Sequence, residues 1–562
     1  MDYQKNYENW LNHPAIDSNT KAELESIANN PKEIEDRFYK ELDFGTGGLR
    51  GVLGAGSNRL NIYTIRKATQ GLANYILQSD AYQPGMAVAI AHDSRNMSPE
   101  FSTEAALVLN ANGIKTYTFD ALRPTPLLSF AVRHLGCIAG IVVTASHNPP
   151  EYNGYKVYWQ DGGQVPSPRD EEIIAEVNKI ADFAAVKTMA QDTAAAQGLF
   201  NIAPAAVDEA FISNVKAQSL NNNVDKNIGI VFTPLHGAGN VLVQRVLAET
   251  GFNNVHVVKS QEAPDGNFPT VDYPNPEDVK AFTHALDLAK TVDADIVVAT
   301  DPDCDRVGVA IKHQGKYQLL NGNMTGVILT EYIISQLKLK GEMPENGAII
   351  STIVSTNMVK EMAKQNGLSY IETLTGFKYI GEKITQFEKD NAHKFIFGFE
   401  ESYGYLAGEY ARDKDGVVAT MLACEAAAYY KAQGKTLEDV LQDLYQKYGL
   451  YKESIEAITL KGIEGIEKIK EIMANLRQSP PTEIGGCEVI ETRDYTLPEK
   501  TGLPFSDVLY YETACGSWAC VRPSGTEPKI KIYFGAKLPK SASPEDADNK
   551  LKAMAHTMLA LV

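Results

Sequence analysis

Apolar and polar positions along the chain follow two rhythms, and the change from one to the other marks the elements. Over residues 1 to about 40, Trp10, Leu11, Leu24, Ile27, Ile34, Phe38 and Leu42 recur at helical spacing among charged residues, which predicts a helical preface. After it, short β-branched runs alternate with longer amphipathic ones. Residues 86–92 predict a buried strand, residues 98–111 a helix with Ser98 as its N-cap and Glu100 near its start, and residues 137–145 a further strand. Such alternation implies a largely parallel sheet covered on both faces. A polar interval over roughly 190–223 is expected to separate this unit from the next.

The second unit opens on residues 227–239, read as a strand, a glycine-rich turn and a helix from near Asn240. That turn lacks the G-x-G-x-x-G spacing of a dinucleotide fingerprint. The central strand of this unit is 294–300. Its run Ile296-Val-Val-Ala-Thr-Asp301 echoes Ile141-Val-Val-Thr-Ala-Ser146, and residues 347–354 give a third echo, so three α/β units of related design are expected. The third also carries an apolar strand from Phe395 and an alanine-rich helix over roughly 417–433. Beyond about residue 450 the alternation and the pair Pro480-Pro481 predict a smaller α+β unit, whose late strand sets Ile530 and Ile532 on one face.

The strands end abruptly in polar residues. Pro149 and Pro150 stop the first from continuing as strand or helix, so Ser146 falls on a loop at a strand's carboxyl end, where open α/β sheets bind ligands. Asp301, Asp303 and Asp305 put three hard oxygen donors into one short loop, a set suited to Mg2+. An EF-hand would need Gly where Arg306 stands and Glu where Lys312 stands. Glu400 and Ser402 offer a carboxylate and a hydroxyl suited to vicinal sugar hydroxyls. Arg50 closes the glycine-dense Phe44-Gly-Thr-Gly-Gly-Leu-Arg-Gly51, where backbone and guanidinium can both approach a phosphate. Arg522, Ser524, Gly525 and Thr526 compose a second phosphate cradle of cation, hydroxyls and bendable backbone N–H groups. Together these features fit one substrate class, a phosphosugar.

Composition narrows the classes. At ~150 residues per domain the length implies about four domains. Lys plus Arg number 53 against 71 Asp plus Glu, a net charge of −18, which argues against a nucleic-acid or anionic-membrane surface and requires a local basic pocket for an anionic substrate. Six cysteines without a C-x-x-C pair indicate neither a zinc site nor a disulfide framework and read as reduced thiols. The amino terminus lacks the pattern of a signal peptide and no run approaches the ~20 apolar residues of a membrane span, so a soluble, cytoplasmic protein is expected.

On these motifs the sequence resembles the α-D-phosphohexomutase superfamily, close to its phosphoglucomutase and phosphomannomutase group, over nearly the whole chain after the helical preface. The resemblance implies an α/β fold: three similar α/β domains with mixed, largely parallel sheets, plus a smaller C-terminal α+β domain, around a central cleft. The domains would span 1–205, 206–320, 321–450 and 451–562. In Thr144-Ala-Ser-His-Asn-Pro149 the resemblance makes Ser146 the phosphate carrier. Asp301, Asp303 and Asp305 become Mg2+ ligands, with an oxygen of phosphorylated Ser146 as a further ligand. Gly398-Phe-Glu-Glu-Ser402 becomes the sugar-binding loop, acting through Glu400 and Ser402, and Arg522, Ser524, Gly525 and Thr526 the distal phosphate loop. Arg50 would lie beside the transferring phosphate, Lys156 would be the general acid/base with His147 as helper or rival, and Arg306, Gly376 and Lys378 would contact substrate. Pro302 stands where many relatives have Gly, which leaves the carboxylates intact and bears on loop flexibility.

The implied activity interconverts hexose 1-phosphate and hexose 6-phosphate, glucose ahead of mannose, through a phosphoserine and a hexose 1,6-bisphosphate that also serves as primer. The expected partner is a small-molecule phosphosugar, with no nucleic acid and no membrane, in a monomer or weak homodimer whose last domain swings to close the cleft. A phosphopentomutase, or an enzyme making a sugar bisphosphate from another donor, stays open, because ring size is not legible in these loops. So does a Mg2+-dependent sugar-phosphate phosphatase with Asp301 as nucleophile, although that reading leaves Ser146 idle. The intact serine and cation loop disfavour an inactive sensor.

Overall fold

The computed structural model describes residues 2–45, 47–460, 462–524 and 529–562. The preface forms helices Tyr3–Asn12, Ser18–Ser26 and Pro31–Phe38, each started by a side-chain oxygen of Asp2, Asp17 or Asn30 that accepts a backbone N–H. Their apolar stripes gather Tyr7, Trp10, Leu24, Ile34 and Phe38 into a small core against Tyr63.

Four sheets follow. The first has seven strands. Ala139–Val143, Ala87–His92, Lys115–Thr118 and Phe200–Ile202 run parallel, and Tyr152–Trp159, Gly48–Val52 and Phe44–Gly45 extend the sheet antiparallel at one edge. The second sheet centres on Ile296–Thr300, parallel to Ile230–Thr233 and antiparallel to Val307–His313. In the third, Gly347–Thr352 lies parallel to both Ser369–Thr373 and Lys394–Phe399. The three echoing segments are thus interior strands, and every residue of Ala139–Val143, Ile296–Thr300 and Gly347–Thr352 is buried. Burial on both faces is why they read as unbroken apolar runs. The fourth sheet is six-stranded and wholly antiparallel, so it can leave one face to solvent.

One hydrophobic core runs without a break from the first unit through the third. The last unit has a core of its own around Ile530, Ile532 and Met554, and meets the third through a smaller cluster that includes Ile353, Leu374 and Trp518. No helix among the described residues is long and apolar enough to cross a membrane.

Two expectations need correction. Ser98 is not a cap: the helix Ser98–Ala111 follows Met97, whose φ of 67° is left-handed, and the Ser98 hydroxyl donates to Asp93 Oδ1 at 2.9 Å. The buried Asp93 carboxylate needs that donor more than the helix needs a cap. The interval 190–223 is not a plain linker either. It holds helix Gln191–Ala196, strand Phe200–Ile202, which completes the first sheet, and helix Ala206–Lys216, whose Val207, Phe211 and Val215 enter the shared core.

Candidate active site

Ser146 lies three residues beyond the strand Ala139–Val143, with a left-handed φ of 52°. Its loop is shaped from within by Arg95, a buried guanidinium that donates to the carbonyls of Ser146 at 2.6 Å, Pro149 at 2.8 Å, Tyr152 at 3.0 Å and Asn148. Asp93 supports the clamp, with Oδ2 3.4 Å from Arg95 Nε. Thr144 locks the serine in turn: its hydroxyl donates to Asp93 at 2.6 Å and accepts the Ser146 N–H at 2.8 Å. The neighbouring strand can approach this turn because residue 154 is glycine; a Cβ there would sit 2.4 Å from the Thr144 carbonyl oxygen.

Across from it, the loop after Ile296–Thr300 presents Asp301, Asp303 and Asp305, all buried, with one oxygen from each within 4.8 Å of the others. Asp301 Oδ1 accepts the backbone N–H groups of Asp305 and Arg306 at 3.1 and 3.0 Å, so the loop folds around its own first carboxylate. Ser146 Oγ donates to Asp301 Oδ2 at 2.9 Å, which joins the first and second units at the predicted residues. His147 Nδ1 is 3.2 Å from Ser146 Oγ. From the strand Tyr152–Trp159, Lys156 sends Nζ to Asp303 Oδ2 at 2.9 Å and Asp305 Oδ2 at 3.2 Å. Arg50, on Gly48–Val52, donates to Asn148 Oδ1 at 3.3 Å. Arg306 pairs with Glu277 and lies 3.9 Å from Asp305 Oδ1.

The electrostatics follow from crowding like charges out of water. Burial, with repulsion from Asp303 and Asp305, pushes the Asp301 carboxyl well above the usual range. Burial acts the same way on Asp305, but Lys414, Lys156 and Arg306 overcome it and hold that carboxyl far below its usual value. The Lys156 ammonium is opposed by burial and raised by Asp303 and Asp305. Burial, together with Arg306 and Arg50, holds the His147 imidazole well below its ordinary value, so it is neutral at neutral pH. Oδ1 of Asp303 and of Asp305 are buried without a hydrogen-bond partner. Orphaned, mutually repelling hard oxygens are a donor set that a divalent cation such as Mg2+ fits.

The third unit brings Glu400, at the end of Lys394–Phe399, against Gly376, whose N–H it accepts at 2.8 Å. Burial pushes the Glu400 carboxyl up to about 7. Ser402 follows in the same loop, half-buried. Lys378 is not brought to Ser146. It lies 3.6 Å from Asp170 Oδ2 and lines a cavity of about 570 Å3 with Arg169 and Tyr379, and burial lowers its ammonium. Arg522, on Trp518–Pro523, is near enough for its charge to oppose the burial that raises Glu401, and the Ser524 N–H donates to the Lys529 carbonyl at 2.7 Å. Gly525 and Thr526 lie outside the described residues.

Sequence reasoning missed two cations. Lys414 places Nζ 2.9 Å from Asp305 Oδ2, carried in by the third unit. The helix that follows it, Gly416–Lys431, begins against the carboxylate loop, where the Gly416 N–H donates to the Cys304 carbonyl at 3.0 Å and a Cβ would lie 2.8 Å from that oxygen. The signal was the charged run Arg412-Asp-Lys-Asp415 ahead of a buried helix. Arg95 was signalled by Asp93-Ser-Arg95 directly after a buried strand, the same signature that marked Ser146 and Asp301.

Comparison with known proteins agrees in chain order. Models of the phosphoglucomutase/phosphomannomutase family match residues 41–183 as α/β/α domain I, 209–315 as domain II, 321–448 as domain III and 458–545 as the C-terminal domain. A phosphoglucomutase of Staphylococcus epidermidis is 37% identical over 516 residues, 89% of this chain and 92% of that one. One of Staphylococcus aureus is 37% identical over 538 residues, 93% and 94% of the two. Among solved structures, the exocytosis-sensitive phosphoprotein pp63/parafusin (phosphoglucomutase) of Paramecium, in its open form, aligns with a TM-score of 0.67 at 18% identity, covering 93% of this chain and 94% of its own. A phosphoglucomutase/phosphomannomutase family protein of Burkholderia thailandensis gives 0.68 at 19% identity, over 92% and 97%. These structural likenesses speak for the fold.

Proposed function

Because the chain belongs to the phosphoglucomutase/phosphomannomutase family of phosphotransferring enzymes, we propose that it interconverts hexose 1-phosphate and hexose 6-phosphate, glucose ahead of mannose. The observation that carries the proposal is the Ser146 hydroxyl held 2.9 Å from Asp301, with Lys156 reaching the other two carboxylates of that loop. A serine so placed is a phosphoryl carrier with charge control on every side.

In the first transfer the phosphoryl group passes from Ser146 Oγ to a sugar hydroxyl oxygen, whose proton moves to the serine oxygen by way of Lys156 or His147, giving a hexose 1,6-bisphosphate. The sugar then turns end for end, and its other phosphoryl group returns to Ser146. A phosphoserine carries about −1.5 to −2 charges, which Lys156, Arg50 and Arg306 neutralise as the group moves. His147 Nδ1, 3.2 Å from Oγ, takes the serine proton in the return transfer. Asp301, Asp303 and Asp305, with a phosphoserine oxygen, would hold Mg2+, which supplies further charge neutralisation at the phosphoryl oxygens. Glu400 and Ser402 hold sugar hydroxyls, Gly376 and Lys378 contact the substrate, and Arg522, Ser524, Gly525 and Thr526 hold the distal phosphate in either orientation. A last unit with its own core supports closure over the substrate; unchanged small-angle scattering on adding substrate would count against it.

The deciding assay follows glucose 1-phosphate to glucose 6-phosphate with Mg2+ and a trace of glucose 1,6-bisphosphate, beside mannose 1-phosphate and ribose 1-phosphate. Turnover should depend on the bisphosphate, stop on chelation of the metal, and fall about a thousandfold or more in Ser146→Ala. Ribose 1-phosphate as the preferred substrate would move the assignment to a phosphopentomutase. Release of free phosphate without isomerisation would move the chemistry to Asp301. Against that outcome, Asp301 Oδ1 accepts two backbone N–H groups and Oδ2 accepts the serine hydroxyl, which leaves it poorly placed to attack.

A further inference from the structure

The last unit brings together two thiols at the end of its sheet away from Arg522. Cys487 opens the strand Cys487–Asp494 after the left-handed turn Gly485-Gly486, and the exposed Cys515 sits at the tip of the hairpin between Leu509–Thr513 and Trp518–Pro523. The strands pair with Val489 opposite Thr513, and the Ala514 N–H continues the ladder to the Glu488 carbonyl at 2.8 Å. Carried one rung further, this register would set Cys487 opposite Cys515. Rungs beside a bonded pair bring opposing Cα atoms to about 4.5 Å, inside the span a disulfide bridges.

The surroundings favour thiolate chemistry. Lys550, from helix Pro544–Leu559, places Nζ 2.9 Å from Cys487 Sγ and is anchored at 2.9 Å on the Gly485 carbonyl. Cys515 Sγ lies 3.3 Å from Thr513 Oγ1 and 3.4 Å from Ser517 Oγ. Burial pushes the Cys515 thiol up, but hydrogen bonding with Cys487, Ser517 and Thr513 brings it down to about 6. Cys137, Cys304, Cys424 and Cys520 are buried instead, and burial pushes their thiols up.

We propose that Cys487 and Cys515 are a dithiol site that small hydroperoxides oxidise to a reversible disulfide, with Lys550 as its positioning cation. The Cys515 thiolate attacks the terminal peroxide oxygen. The O–O bond breaks, the sulfur becomes a sulfenic acid, and the departing alkoxide or hydroxide takes up a proton. Cys487, held beside the Lys550 ammonium, then attacks that sulfur through Sγ, the S–S bond forms, and the hydroxyl leaves as water with the Cys487 proton. Two thiols are oxidised and one hydroperoxide is reduced to an alcohol or water.

The test treats the full-length protein with equimolar hydrogen peroxide near neutral pH and maps peptides without reductant. The expected result is one linked peptide pair holding Cys487 and Cys515, lighter by two hydrogen atoms and separated again by dithiothreitol, with the four buried cysteines untouched. Cys487→Ser should leave Cys515 as a sulfenic acid that dimedone traps, Cys515→Ser should leave Cys487 unmodified at the same dose, and Lys550→Met should slow linkage without changing mutase turnover. Recovery of both thiols unlinked while a buried cysteine reacts would overturn the proposal. So would a Lys550–Cys487 product carrying an added oxygen.

Discussion

The loops after Val143 and Thr300 leave strands of nearly the same composition, yet they are held by opposite means. The Ser146 loop is fixed inside its own unit: Arg95 gathers four of its carbonyls, Thr144 its N–H, and Asp93 backs both. The carboxylate loop takes its backbone order from Asp301, but beside its own Arg306 its charge is balanced from outside, by Lys156 of the first unit and Lys414 of the third. The loop proposed to carry the group in transfer is held stiff from within. A loop that carries three like charges is stable only where the units meet.

Breaking the internal clamp should have the largest effect. Arg95→Met leaves the Asp93 carboxylate buried without its cation and four carbonyls without their donor, a loss of about 3–5 kcal/mol by analogy with other buried pairs. A fall in the first thermal transition together with loss of turnover is expected. A variant that melts like the parent would mean that the loop is held by something else.

The site was legible in the sequence wherever one strand delivers one contiguous motif, as with Ser146, Asp301 to Asp305 and Glu400. What the sequence hid depends on where separate units meet. Lys414 stands more than a hundred residues from Asp305, and no local period ties a charged run before one helix to a carboxylate loop in another sheet. The strand Phe200–Ile202 was hidden because three residues carry no periodicity and only pairing with Lys115–Thr118 defines them. Cys487 and Cys515 read as scattered because only the ladder that pairs Val489 with Thr513, not a spacing motif, brings their segments together.

The second prediction asks how far the imported charge reaches. Lys414 lowers both Asp305 and Glu400, yet burial still leaves Glu400 at about 7. A carboxyl raised from its unfolded value contributes stability that is fully present below the unfolded pKa and lost as pH rises through the folded one. The parent should therefore lose roughly 3 kcal/mol between about pH 4.5 and pH 7 through this group, seen as a falling urea midpoint. Glu400→Gln, which can still accept the Gly376 N–H, should flatten that decline; an unchanged slope would show that Glu400 ionises without cost.

Removing the imported cation sharpens the same contrast. Lys414→Met should cost less than Arg95→Met, about 1–3 kcal/mol, because Lys156 still pairs with Asp305. It should also carry the Glu400 decline to higher pH, since the charge that lowers Glu400 is gone. A double variant with Lys156→Met should lose more than the sum of the single losses, as expected when two cations share one carboxylate. Simple additivity would mean that the two lysines act independently and that the loop is not balanced across units.

The smallest effect is reserved for Pro302, which stiffens the carboxylate loop where its backbone meets the turn ahead of the helix Gly239–Glu249. The Pro302 carbonyl accepts the Ala238 N–H at 2.7 Å, and the chain passes so close that a Cβ on Gly237 would lie 2.4 Å from the Pro302 Cα. Pro302→Gly keeps every carboxylate and that hydrogen bond, and acts by giving the unfolded chain more freedom, a loss of about 0.4–1 kcal/mol. If the loop is ordered by Asp301 and balanced by the two lysines, the variant should exchange its Ala238 amide proton faster while keeping turnover and Mg2+ dependence close to the parent's. A large loss of Mg2+ affinity would instead assign Pro302 the role that Arg95 plays opposite, a rigid brace from within, and the contrast between the two loops would fall.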